Sequence, residues 1–256
     1  MIFKNSKGFE TDFLGCTICP IVESIDDGKS QLCGTGFYIH PSGLALSASH
    51  NFRKRTAPIF ARGKKVDQID AATFIRMIQL DKDHLHFLFT PITEIIYDEG
   101  IDIAIVISGV SGEPPKHLSL TDSIPKIGER ICTYSYPNKP GFTNNIGTTM
   151  NVDKAWYEGS VTAHFPLGRD KLLLPGPCIE AKMAAPGGTS GGPVFNERGH
   201  IFGVISTSFD GDPPITYITP IRSIVDMSFE INTDQGRKNV SLRELGKLKV
   251  IALYNK

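Results

Sequence analysis

The sequence predicts an all-β protein, a sandwich or barrel built from many short strands. Two observations carry that reading. Short apolar runs rich in β-branched and aromatic residues recur along the chain. Turn residues interrupt them, with 25 glycines and 17 prolines supplying the punctuation. At 256 residues the chain is on the scale of one large domain with a substantial core.

In the first half, strands are expected over 32–39, 44–49, 73–80, 84–90, 95–97 and 101–107. His84 and His86 alternate along one of them and share a sheet face, which reads as a solvated face rather than a metal site. The Pro-, Gly- and Ser-rich stretch from Ser108 to Pro125 reads as a linker between two halves. In the second half, strands are expected over 130–136, 159–164, 171–174, 178–181, 193–195, 201–207 and 216–219. Pro220 to Met227 suits a short helix with proline in its first turn. Ser241 to Glu244 is a capping box, and Leu242, Leu245, Leu248 and Ile251 follow at near-helical spacing. That C-terminal helix is expected to pack on the domain.

Charge is balanced, with 27 Lys plus Arg against 27 Asp plus Glu. The balance gives no electrostatic case for nucleic acid or an anionic membrane as partner. The basic runs Arg53-Lys54-Arg55 and Arg62-Gly63-Lys64-Lys65 read as solvated loops. No signal-peptide core and no run of membrane-spanning length is visible. The five cysteines are an odd number, which without a secretory signal argues for reduced thiols and a cytoplasmic location. Cys16, Cys19 and Cys33 lack a fourth ligand at a standard zinc spacing, so they read as small buried residues and no metal is expected.

The segment Gly187-Gly188-Thr189-Ser190-Gly191-Gly192-Pro193-Val194-Phe195 carries the most chemical information. Glycines there open backbone angles closed to other residues and let another backbone come close. The N–H groups of Gly188 and Ser190 can converge on one point suited to an oxyanion. A serine hydroxyl needs a base, and the base needs an orienting acid. His50 stands just past the strand ending Leu46-Ser47-Ala48-Ser49, and Asp102 opens the apolar run Ile103-Ala104-Ile105-Val106-Ile107. A carboxylate buried there needs a partner, and His50 is the natural one. Singly, each feature has a structural reading: a tight turn, a satisfied strand-end histidine, a salt-bridging acid. Together and in this order they argue for nucleophilic catalysis.

His50 in Leu-Ser-Ala-Ser-His, Asp102 in Asp-Ile-Ala-Ile and Ser190 in Gly-Gly-Thr-Ser-Gly-Gly-Pro-Val resemble the three signatures of chymotrypsin-like (trypsin-fold) serine peptidases. The resemblance covers about residues 15–225 and lies nearest the bacterial trypsin-like and HtrA/Deg-type branch. It implies two packed six-stranded antiparallel β-barrels, one over about 15–110 and one over about 125–220. Residues 1–225 would form the peptidase domain and 226–256 a helical extension, with no room for a peptide-binding module. It implies hydrolysis of peptide bonds by a Ser-His-Asp triad through an acyl-enzyme, with Gly188 and Ser190 as oxyanion hole and no cofactor. The partner implied is a protein or peptide substrate.

Three departures from trypsin itself matter. The disulfide that brackets the histidine in secreted members is missing, because Asn51 stands where one of its cysteines would be. The acid that precedes the nucleophile in zymogens is Thr189 here, and Ile21-Val22 lies too close to His50 to be an activation site. Activation by N-terminal cleavage is therefore not expected, and a protein partner, an oligomer or loop ordering could take its place. The position at the floor of the primary substrate pocket is Ala184, with walls from Ala185, Ser206, Thr207 and Ser208. Lacking a charge, such a pocket implies cleavage after small or medium uncharged residues. Two other functions stay open: a silent or partner-activated peptide-binding module on the same fold, and an acyl hydrolase acting on esters.

Overall fold

The computed structural model describes residues 3–4, 10–11, 13–25, 29–53, 72–79, 85–112, 114–137, 154–234 and 236–255. The chain starts with a strand pair, β1 (Phe3–Lys4) and β2 (Glu10–Thr11), and a short helix α1 (Phe13–Thr17). Six strands follow: β3 (Ile18–Ile25), β4 (Lys29–Tyr38), β5 (Leu44–Ser47), β6 (Ala72–Gln79), β7 (Leu85–Tyr97) and β8 (Ala104–Ser108). They close as an antiparallel barrel in the order β3-β4-β5-β8-β7-β6. A one-turn helix, α2 (His50–Arg53), follows β5.

After β9 (Leu120–Thr121), a second set forms: β10 (Arg130–Ser135), β11 (Ala155–Phe165), β12 (Cys178–Lys182), β13 (Pro193–Phe195), β14 (Ile201–Phe209) and β15 (Ile215–Pro220). The order β13-β10-β11-β12-β15-β14 closes through pairing of β13 with β14, giving a second six-stranded antiparallel barrel. A hairpin of β16 (Phe229–Thr233) and β17 (Gly236–Val240), a helix α3 (Leu242–Lys247) and β18 (Leu253–Tyr254) complete the chain. β18 pairs in parallel with β9, which pairs in parallel with β14.

Alternation along the strands sorts the core. Tyr38 and Phe74 approach at 5.3 Å inside the first barrel and pack with Ala45, Ile95 and Val106. Their neighbours Phe37, Leu46 and Ile105 point the other way and form one cluster with Phe195 and Val204 of the second barrel. Leu242 and Leu245 of α3 join that cluster. The Ser241 hydroxyl accepts from Glu244 N, and Glu244 returns a bond to Ser241 N at 2.8 Å, so the expected capping box starts α3. The all-β, two-barrel expectation is met.

Several local expectations are corrected. Residues 85–90 and 95–97, expected in separate strands, belong to one strand, β7. Pro91 sits where β7 leaves β6 and joins β8, the place where a missing N–H is tolerated. Residues 171–174 form a loop, because Asp170 captures the N–H groups of Leu172, Leu173 and Leu174. Helix after Pro220 is limited to one 3-10 turn, Ile221–Ser223. The linker contributes β9, and the C-terminal segment contains a hairpin as well as its helix. Lys54, Arg55, Arg62, Lys64, Lys65, Leu80 and His84 lie outside the described residues.

Candidate active site

β5 is buried along its length and delivers the chain to Ser49 and to His50, the first residue of α2. Asp102 lies in the bend before β8, two residues ahead of the strand the sequence suggested it would open. Its carboxylate faces four donors. Oδ2 accepts from His50 Nδ1 at 2.8 Å and from the Ser206 hydroxyl of β14. Oδ1 accepts from His50 N at 3.0 Å and from Ser49 Oγ at 2.9 Å.

Burial opposes the charge on Asp102, but bonds from His50 and Ser206, with attraction to the imidazole, outweigh it and hold its pKa below the usual carboxylate range. That bond puts a proton on Nδ1, so Nε2 is the ring nitrogen of His50 available for proton transfer. The histidine side chain is 41% exposed and the aspartate 21%, so the base reaches solvent while its partner stays sheltered.

Ser190 sits in the turn ahead of β13. Gly188 and Gly191 both take φ of 87°, the left-handed region that favours glycine. The turn is tied to β14 by Gly191 N to Ile205 O at 2.8 Å and Ile205 N to Gly192 O at 2.9 Å. Among the described residues, neither the Gly188 N–H nor the Ser190 N–H donates to a protein acceptor. The Ser190 hydroxyl donates to the Ser206 carbonyl at 3.2 Å rather than to His50.

The first barrel grips this turn through residues whose role the sequence did not disclose. Ser190 O accepts from Thr35 N at 2.8 Å and from Asn51 Nδ2 at 3.0 Å. Gly188 O accepts from Thr35 Oγ1 at 3.1 Å. Ser49 and Ser206, the hydroxyl donors to Asp102, were likewise invisible as such. Their only signal is adjacency: Ser49 to His50, Asn51 to His50, and Ser206 to the apolar end of β14.

A model of the trypsin-like peptidase domain matches residues 34–204, which include His50, Asp102 and Ser190. The chain belongs to the trypsin-like peptidase family. A search of curated protein sequences finds no relative. Among solved structures, the active form of the Rv3671c protease from M. tuberculosis is similar at 16% identity and a TM-score of 0.55, over 83% of this chain and 79% of that one. The MamO protease domain from Magnetospirillum magneticum matches at 13% identity and 0.56, over 84% and 96%. Deg5 matches at 18% identity and 0.55, over 84% and 89%. At these identities the likeness is one of fold.

In this trypsin-like peptidase a cavity of about 320 Å³ lies beside His50, Asp102 and Ser190. Of the five residues expected to shape a substrate pocket, Ser206 and Thr207 line it. Ala184 is exposed, Ala185 is buried in the second barrel's core, and neither lines this cavity; nor does Ser208. The remaining lining comes from Glu99 and Gly100, from Phe209 and Thr219, and from residues 173–178 between β11 and β12, a region the sequence suggested was partly strand. No group of three metal-ligating side chains occurs among the described residues. No described helix is long and apolar enough to cross a membrane.

Proposed function

We propose that the chain is a serine endopeptidase, with Ser190 as nucleophile, His50 as general base and Asp102 as the group that orients and stabilises the imidazole. One observation carries the reading. Asp102 holds His50 by side chain and backbone at the edge of a cavity that also contains Ser190, beside two unspent backbone N–H groups. Family membership supplies the substrate class, a protein or peptide.

In the resting protein the Ser190 hydroxyl rests on the Ser206 carbonyl. Rotation about its Cα–Cβ bond turns it toward His50 when substrate enters; such bonds commonly form only in the complex. His50 takes the hydroxyl proton as Oγ bonds to the scissile carbonyl carbon. The N–H groups of Gly188 and Ser190 receive the negative charge on oxygen. The C–N bond then breaks, His50 protonates the leaving amine, and an acyl ester remains on Ser190. Water attacks that ester with His50 again as base, releasing the acid and restoring the serine.

The resemblance alone places the uncharged Ala184 at the floor of the primary pocket, and on that sequence match, without support from the cavity beside Ser190, the specificity proposed is for small or medium uncharged residues. The odd number of cysteines, with no disulfide among the described residues, supports a reducing, cytoplasmic setting. The Ser190–Ser206 bond favours one second reading, a latent or peptide-binding protein that a partner activates. The Rv3671c protease has itself been solved in active and inactive forms. Digestion of a defined peptide mixture, with cut sites mapped by mass spectrometry, separates the readings. Cuts after small uncharged residues, lost in Ser190→Ala and His50→Ala, are the expected result. Strict cutting after Lys or Arg contradicts the specificity, and no cutting by folded protein contradicts constitutive activity.

A further inference from the structure

We propose that Thr35 of β4 is a positioning residue for catalysis, whose hydroxyl fixes the peptide planes that aim the Gly188 and Ser190 N–H groups. The proposal rests on the reading of these two groups as an oxyanion hole. From Gly188 to Gly192 the backbone N–H groups divide into spent and unspent. Thr189 N donates to Pro186 O at 3.2 Å, Gly191 N to Ile205 O at 2.8 Å and Gly192 N to Thr189 O at 2.9 Å. Those of Gly188 and Ser190 donate to no protein acceptor among the described residues.

Whether the two unspent groups converge depends on the peptide planes beside them. Gly188 has no Cβ and takes φ of 87°, so its own stereochemistry does little to hold those planes. A bond from outside the turn does. Gly188 O accepts from Thr35 Oγ1 at 3.1 Å, and Ser190 O accepts from Thr35 N at 2.8 Å. Along the chain these two carbonyls belong to the peptide planes directly before and after the one that carries the Ser190 N–H. The plane of Gly188 O also adjoins the one that carries the Gly188 N–H. One residue of the first barrel thus fixes the neighbours of both donors.

The direction of the hydroxyl bond is settled by its surroundings. Tyr136 N, just past β10, donates to Thr35 Oγ1 at 3.1 Å. The hydroxyl accepts there and gives its own proton to Gly188 O. Thr35 is 0% exposed, and a hydroxyl buried that deeply destabilises unless it is bonded. Valine would fill the same space, so these two bonds are what the hydroxyl adds. The strand around it has little room to move. A Cβ on Gly34 would lie 2.3 Å from Asn51 Nδ2, and one on Gly36 would lie 2.4 Å from the Phe74 ring. Thr35 O accepts from Ser47 Oγ at 2.7 Å. A β-branched side chain on so tightly packed a strand presents its hydroxyl with few rotamers, and donors aimed before substrate arrives need no reorganisation in the transition state.

Thr35→Val removes the hydroxyl and suits a buried strand. On a peptide substrate its kcat is expected to fall about a hundredfold, the scale of a displaced oxyanion donor, with KM within about twofold of wild type. Thr35→Ser, which keeps the donor, is expected to restore most of kcat. Ser108→Ala serves as the comparison, because it strips a buried hydroxyl of its bonds to Gly43 O at 3.1 Å and Tyr38 Oη at 3.4 Å within the first barrel. It is expected to lower the denaturation midpoint and spare kcat. An unchanged kcat in Thr35→Val, or an equal loss in Ser108→Ala, overturns the proposal. A second readout needs no turnover. The amide NMR resonances of Gly188 and Ser190 are expected to shift in Thr35→Val and to stay near their wild-type positions in Thr35→Ser. Resonances indifferent to Thr35→Val overturn the proposal whether or not the protein is active. Failure of the catalytic reading shows separately, as an inert wild-type protein whose resonances respond in this way. If Thr35→Val does not fold, Thr35→Cys, whose thiol is a weak donor, is expected to show a smaller loss of the same sign, and wild-type values in it overturn the proposal.

Discussion

The side-chain amide of Asn51 donates to the carbonyl oxygen of Ser190 at 3.0 Å, joining the residue after His50 to the residue that carries the candidate nucleophile. The same amide donates to Ser47 Oγ at 3.1 Å, and Ser47 in turn donates to Thr35 O at 2.7 Å. Asn51 is 4% exposed, and Gly34 leaves its side chain room, since a Cβ there would lie 2.3 Å from Nδ2. This buried amide ties the two barrels together beside the site.

Asn51→Ala should therefore lower stability by about 1–3 kcal/mol, the usual cost of stripping partners from buried polar groups. It should also slow acylation by up to roughly a hundredfold if the Ser190 turn drifts by about 1 Å. Urea midpoints and the rate of covalent labelling at Ser190 read the two effects independently. A variant matching the wild type in both removes the latch from the account.

Gly191→Ala is expected to be among the most damaging single changes in the chain. Its φ of 87° disfavours a side chain, and the added Cβ would sit 2.0 Å from the carbonyl oxygen of Thr35. Gly187→Ala, a few residues away, meets nothing within 4 Å and should cost under about 1 kcal/mol. Soluble yield and denaturation midpoints of the pair should differ sharply; equal behaviour contradicts the close approach at Gly191.

Asp102 should make stability depend on acid in a definite direction. Its pKa is lower folded than unfolded, so it stabilises the fold above the ordinary carboxylate pKa of about 3.9. That contribution is lost as pH falls through the depressed folded value. Asp102→Asn should flatten this part of the stability profile between about pH 5 and 2 while abolishing labelling at Ser190. An unchanged acid limb in the variant contradicts the pairing with His50.

Ser206→Ala removes the hydroxyl donor to Asp102 but keeps the carbonyl that holds the Ser190 hydroxyl. It should weaken activity about tenfold and move the acid limb toward the ordinary carboxylate value. Titration of activity and stability side by side checks this; a large gain in activity instead would point to Ser206 as a restraint on Asp102.

Burial pushes the Cys178 thiol pKa up to about 11 despite hydrogen bonding from Arg169 N and attraction to its side chain. Alkylation of Cys178 by iodoacetamide in native protein near pH 8 should be far slower than in urea, since the thiolate is the reactive form. Rapid modification without unfolding contradicts its place beneath the β11–β12 loop.

The parts of this molecule that were legible in sequence are those fixed locally. The glycine turn around Ser190, the strand delivering His50 and the capping box at Ser241 each lie within one short segment, where residue type dictates backbone angle or a near bond. What could not be read depends on segments far apart in sequence. Asn51 meets Ser190, Ser206 meets Asp102, and Gly176 meets Gly100 only once both barrels close. The leucines at 172–174 read as strand because their periodicity carries no record of Asp170, whose carboxylate takes the N–H groups a ladder would need. The cavity built on that loop was hidden for the same reason.

Labelling with a fluorophosphonate, read by intact and peptide mass spectrometry, tests the central claim most directly. The wild-type protein is expected to gain one adduct on Ser190, with none in Ser190→Ala and a rate reduced at least a thousandfold or so in His50→Ala. A folded wild-type protein that takes no adduct, or one labelled at an unchanged rate without His50, contradicts a Ser190–His50–Asp102 catalytic unit.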